Sequence, residues 1–161
     1  MFAHVKRSTP LLLLLYVLVF AGYVYWSKAY FFENLQYTYD LLNSVQISTS
    51  LVQERPIFHY PNAGAASYTH NYVLLLALGP LVQRYGAYAL FATLSLFILL
   101  SGVAAVRLIC EEPQERKQFR LGVVVALMFF GPMAYWIYDD SPNGFNIEIL
   151  YLPLALLFAV A

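Results

Sequence analysis

The chain has 161 residues, of which 61% are hydrophobic, 17% aromatic and only 11% charged, with a formal net charge of zero. Soluble domains carry roughly 25% charged residues, so this deficit, with a mean hydropathy of +0.62, excludes an ordinary water-soluble globule. The balanced charge gives no electrostatic case for a nucleic-acid partner, and the single cysteine, Cys110, cannot close an internal disulfide.

The first apolar run follows Lys6, Arg7 and Pro10 and extends from Leu11 to Trp26, so that a membrane helix is expected over about 11–31. Tyr23, Tyr25 and Trp26 gather at its far end, as an interfacial aromatic belt does. A cleaved signal peptide ending near Ser27-Lys28-Ala29 is the rival reading, but the run is long and ends in bulky aromatics, which favours an uncleaved anchor.

The segment 32–86 is far longer than the roughly 2–8 residues that usually join helices. It is also too rich in aromatic and aliphatic residues to be disordered. Its first part, Leu35 to Gln53, reads as an interfacial amphipathic helix. Leu35, Tyr39, Leu42 and Val45 share one stripe, and Gln36, Asp40, Asn43 and Ser44 share another. Pro56, Pro61, Asn62 and Gly64 then break the chain into a loop. Tyr72 to Val82 is apolar but too short to span and is interrupted at Gly79-Pro80, which suits a re-entrant or juxtamembrane helix.

A second span is expected over 87–109, with Ser95, Ser101, Gly102, Ala104 and Ala105 small enough to allow close helix packing. A charged loop to Arg120 leads to a third span over 121–138, and a fourth begins near Ile149. That last run stops at Ala161, too short to cross a bilayer, so the single membrane domain 1–161 is expected to be the N-terminal portion of a longer polytopic protein. The expected fold class is therefore all-α, with polytopic transmembrane helices and a long outer loop containing juxtamembrane amphipathic helices.

Orientation follows from charge. Lys6, Arg7, Arg107, Arg116, Lys117 and Arg120 fall on the N-terminal side, and only Lys28, Arg55 and Arg84 fall on the other, which makes the N-terminus cytoplasmic. Glu33, Asp40, Glu54, Asp139, Asp140 and Glu148 lie outside, so two polar zones, Lys28–Gly86 and Asp139–Glu148, face the extracytoplasmic side.

Within those zones Asp40 stands out as a carboxylate at a membrane surface, though a solvated acid on a polar helix face explains it as simply. His70 lies where the polar loop meets an apolar run and suits phosphate binding, proton transfer, metal ligation or a plain capping role. The three histidines lack the spacing of a zinc site. Asp139 to Gly144 is turn chemistry, but Asn146 and Glu148 lie beyond the turn, and a glutamate entering a membrane helix is by default paired or functional. Lys28, Arg55 and Arg84 suit either phosphate contact or snorkelling to lipid headgroups.

The order of these features resembles the N-terminal portion of a GT-C superfamily membrane glycosyltransferase. More narrowly, it is similar to a bacterial family of membrane proteins of unknown function related to that superfamily. The matching residues are Tyr39-Asp40-Leu41, Gln46, Thr69-His70-Asn71 leading into Leu78-Gly79-Pro80-Leu81, and Gly144-Phe145-Asn146-Ile147-Glu148-Ile149-Leu150 with Pro153. The family pattern has Phe-His-Pro-Glu before its next span, so Asn146 replaces an expected histidine and Ile147 an expected proline. If that histidine takes part in chemistry, the site here is altered or inactive.

The resemblance implies a protein of the bacterial inner membrane that transfers a sugar from a polyprenyl-phosphate carrier to an extracytoplasmic acceptor. Asp40 would take the acceptor's proton, and His70, Arg55 and Arg84, or a divalent metal ion, would hold the departing phosphate. Glu148 and Asn146 would complete the substrate pocket. Membrane lipids and the lipid-linked donor are the expected partners. A non-catalytic small subunit packing against a larger membrane complex is the alternative, and a transporter is disfavoured because spans 87–109 and 121–138 carry no central charge.

Overall fold

A computed structural model describes residues 8–37, 39–54, 73–111, 116, 119–120, 144–145, 150, 154 and 158. These residues are mostly helical, with no strand among them. Among the described residues five helices have both ends defined, in order: α1 (Ser8–Glu33), α2 (Tyr39–Thr49), α3 (Val73–Ala77), α4 (Gly79–Tyr85) and α5 (Ala87–Glu111). Two of them are long and apolar enough to cross a membrane, over Leu11–Glu33 and Ala87–Arg107. The expected spans at 121–138 and from Ile149 onward lie outside the described residues, apart from Leu150, Leu154 and Phe158.

In α1 position 10 is a proline in the first turn, where its missing backbone donor has no intrahelical partner to lose. The next 23 residues extend about 34 Å at the α-helical rise, against roughly 30 Å of hydrocarbon in a bilayer. The helix buries one narrow seam, Val17, Phe20, Ala21, Val24 and Lys28, at spacings of three and four. The rest of its surface exposes Leu11, Leu12, Leu15, Leu18, Val19 and Trp26. Water would penalise that surface at roughly 25 cal/mol per Å², whereas lipid would not.

The end of α1 is set by backbone geometry. The amide of Leu35 donates to the Phe32 carbonyl (3.1 Å) and that of Gln36 to the Phe31 carbonyl (3.0 Å). This paired closure is a Schellman motif, whose left-handed position is usually glycine. Here Leu35 occupies it at φ 56°, a conformation that costs a residue with a Cβ about 1–2 kcal/mol. The expected helix over Leu35–Gln53 is accordingly shorter at its start, and at its end too: Leu35 to Tyr37 lie between the two helices, α2 runs from Tyr39 to Thr49, and Ser50 to Glu54 form turns.

The chain forms two compact units, and their boundaries fall inside α1 and α5. Unit 1 comprises Met1–Trp26, Leu94–Tyr138 and Ile149–Ala161; unit 2 comprises Ser27–Thr93 and Asp139–Glu148. In unit 1, α5 buries Leu94, Ile98, Ser101, Gly102 and Ala105. Gly102 lies directly against Val17 of α1: an added Cβ would come 2.9 Å from the valine Cβ and nearer still to both methyls. The Ser101 hydroxyl donates to the Phe97 carbonyl (2.6 Å) and so satisfies itself within its own helix. The Ser95 hydroxyl is buried with no hydrogen-bond partner among the described residues.

In unit 2, α3 and α4 both pack on α2. The run Ser48-Thr49-Ser50 of α2 and the turn after it is buried. All three hydroxyls donate back to carbonyls of the preceding turn: Ser48 to Ser44 (2.7 Å), Thr49 to Val45 (3.0 Å) and Ser50 to Gln46 (2.9 Å). Polar residues buried this way present a nearly apolar surface to a neighbour. Gly79 exploits it, since a Cβ there would meet the Ser48 carbonyl oxygen at 2.5 Å. The apolar stretch around Gly79-Pro80 is thus broken at Leu78 into two short helices, neither of them long enough to span.

Candidate functional site

Lys28 is the first unexpected feature of unit 2. An outer lysine was expected to reach toward phosphate or lipid headgroups, yet its side chain is only 3% exposed. It lies four residues beyond Val24 and so continues the buried seam of α1. Its ammonium sits 5.5 Å from the centroid of the Tyr37 ring, an attraction of about 0.5–2 kcal/mol depending on desolvation. It makes further interactions besides, as a buried cation must, because desolvating an uncompensated ammonium costs several kcal/mol.

Tyr37 is the hub. It lies in the link between α1 and α2, placed there by the Schellman turn at Leu35. Its ring meets Phe31 edge-on at 6.2 Å and Phe91 of α5 at 6.1 Å. Phe32 and Tyr88 complete the aromatic cluster, with Phe32 5.4 Å from Tyr88 and 6.0 Å from Phe91. The Tyr88 hydroxyl donates to Glu33 at 3.0 Å, which ties the end of α1 to the start of α5.

The same ring receives a segment from more than a hundred residues away. Gly144, at φ 49°, lies so close that an added Cβ would stand 2.9 Å from Tyr37 Cγ and 3.3 Å from Leu41 Cβ. Phe145 beside it is buried, as is Leu41. Any side chain at position 144 would meet both a steric wall and an unfavourable backbone region. The glycine is therefore what lets the 144–145 turn close on the first turn of α2.

Three separate stretches thus converge: the end of α1 with Lys28, the first turn of α2, and residues 144–145. The Asp40 backbone lies in that first turn, directly before Leu41, and Asn146 follows Phe145 in sequence. The side chain of Asp40, and residues Arg55, His70, Asn146 and Glu148, lie outside the described residues. Arg84 is exposed on α4, with its guanidinium 5.3 Å from the ring of Tyr85. Among the described residues no three His, Cys, Asp or Glu side chains gather as a metal site.

Sequence reasoning missed Tyr37 and underrated Lys28. The lysine had a signal, since it keeps the three-and-four spacing of the buried α1 seam. Tyr37 had none, because its role depends on Gly144. Replacing Tyr37 with alanine is expected to lower unfolding stability by about 2 kcal/mol, discounted from a full core aromatic because the ring is half-buried. Tyr37→Phe should cost about 1 kcal/mol or less. Denaturant titration in detergent checks both, and equal losses would mean that the ring is not the support.

No family model, curated protein or solved structure matches this chain.

Proposed function

We propose that the chain is a polytopic protein of a bacterial cell membrane, with its N-terminus in the cytoplasm and unit 2 on the extracytoplasmic side. There it acts as a GT-C-like glycosyltransferase that moves a sugar from a polyprenyl-phosphate donor to an acceptor. The observation that carries this reading is the composition of unit 2. It unites Ser27–Thr93 with Asp139–Glu148, and these contain the two polar segments, Lys28–Gly86 and Asp139–Glu148, that the charge count puts on one face. The approach of Gly144 to Tyr37 and Leu41 supplies the local link between them.

In this reading Asp40 accepts the acceptor's hydroxyl proton as the new glycosidic bond forms, while the sugar–phosphate bond breaks and the carrier phosphate leaves. Arg55, Arg84 and His70 hold the charge that develops on that phosphate. Glu148 and Asn146 contact the sugar. Short helices such as α3 and α4 lie along the membrane surface and admit a lipid tail from the bilayer.

A non-catalytic subunit is the second reading, favoured by Gly22, whose exposed face on α1 has open space around an added Cβ. Such a site accommodates a partner helix in close approach. Membrane vesicles containing the chain, supplied with a panel of radiolabelled polyprenyl-phosphate sugars, distinguish the two. Label passing from the lipid to a water-soluble or acceptor fraction supports the transferase. Retention of all label on the carrier, with co-purification of a larger membrane complex, supports the subunit.

A further inference from the structure

Among the described residues two that are not glycine adopt positive φ, Leu35 at 56° and Glu54 at 54°. They face opposite demands. Glu54 is exposed and charged, so water solvates it. Leu35 is 88% exposed and wholly apolar, so in water it would carry both backbone strain and an unfavourable surface. Glycine would relieve the first and a polar residue the second.

Position along α1 supplies what both would lack. The candidate span ends at Glu33, and its length slightly exceeds a bilayer's hydrocarbon thickness, so Leu35 falls at the boundary between acyl chains and headgroups. Trp26 and Tyr30, both exposed on the last turns before it, are the residue types that settle at that depth. We infer that Leu35 is a lipid-contacting anchor: the tight α1–α2 turn presents it outward so that it enters the headgroup–acyl boundary. The partner is a lipid surface. The inference rests on the membrane reading of α1, and it adds that the turn itself, and not only the helix, is held by lipid. A fixed turn depth in turn fixes the depth of Tyr37 and of the first turn of α2, which follow within a few residues.

Cysteine labelling tests this in intact chains. Leu35→Cys, Glu54→Cys and Leu18→Cys are each made in a Cys110→Ser background, placed in lipid vesicles open on both faces, and treated with a charged maleimide. The reaction needs a hydrated thiolate, so Leu35→Cys and Leu18→Cys should label far more slowly than Glu54→Cys. If Leu35→Cys labels as fast as Glu54→Cys while Leu18→Cys stays protected, the anchor is overturned and the membrane reading stands. Rapid labelling at all three positions overturns both. An independent readout uses Leu35→Trp in a Trp26→Phe, Trp136→Phe chain. Blue-shifted emission quenched by lipids brominated near the headgroup supports the anchor, and quenching by aqueous iodide alone overturns it. Neither substitution at position 35 removes internal packing, because the leucine makes almost none.

Discussion

If the chain is the transferase proposed above, replacing Asp40 with asparagine is expected to abolish sugar transfer while leaving expression and membrane insertion intact. Asparagine matches the shape of the acid but cannot accept a proton, and a positioned general base is worth typically 10²- to 10⁴-fold in rate. A loss of at least about 100-fold in transfer from the polyprenyl-phosphate donor is therefore expected. The structural cost should be small. Position 40 is in the first turn of α2, where losing a negative charge changes helix stability by only about 0.3–1 kcal/mol. A vesicle transfer assay run beside a denaturant titration separates the two effects. Transfer retained within about threefold of the parent chain, well short of the expected general-base loss, would remove Asp40 from the chemistry, whatever the fate of the transferase reading.

The second large effect is expected at Gly102. Unit 1 brings α5 against α1 at this glycine, and the neighbouring side chain is Val17, which is fully buried. A valine in a helix holds one χ1 rotamer, so its methyls have little freedom to swing aside. Gly102→Leu should therefore destabilise the chain by at least about 3 kcal/mol, at the upper end of overpacking costs. Even Gly102→Ala should be costly, because the clash begins at Cβ. Within a bilayer the argument strengthens, since helices there associate through close packing and not through exclusion of water. Val17→Ala vacates the methyls that meet the new Cβ, so the double variant Val17→Ala, Gly102→Ala should recover much of the loss. That coupling, read from detergent unfolding midpoints of the single and double variants, tests the contact itself. Additive losses would mean that the two residues do not touch.

Much of the helical framework was legible without any structure. Leu11 to Trp26 and Ala87 to Ile109 are long apolar runs, the second charged only at Arg107 near its end, and each lies within a long helix. The Tyr72–Val82 stretch was expected to be too short to span and interrupted at Gly79-Pro80; the structure breaks it at Leu78, with Gly79-Pro80 opening the second of two short helices. The local details differed where capping geometry intervened. The stripe from Leu35 to Val45 suggested one helix, but Leu35 takes a left-handed conformation and closes α1, which shifts the start of α2 to Tyr39. No residue-type signal marks that position, because glycine is the usual occupant and leucine is not.

The candidate site divides along the same line. Hydropathy, charge asymmetry and helix spacing are properties of short windows, and these alone determined the apolar helices and singled out the polar segments and Asp40, as an acid on the polar face of an expected amphipathic helix. The burial of Lys28 under Tyr37, the closure of Gly144 on Tyr37 and Leu41, and the fit of Gly102 on Val17 were decided only by the tertiary structure. Each of those depends on residues far apart in the chain meeting at van der Waals distance. The sequence marks such a meeting only by a glycine or a half-buried aromatic whose partner it does not name.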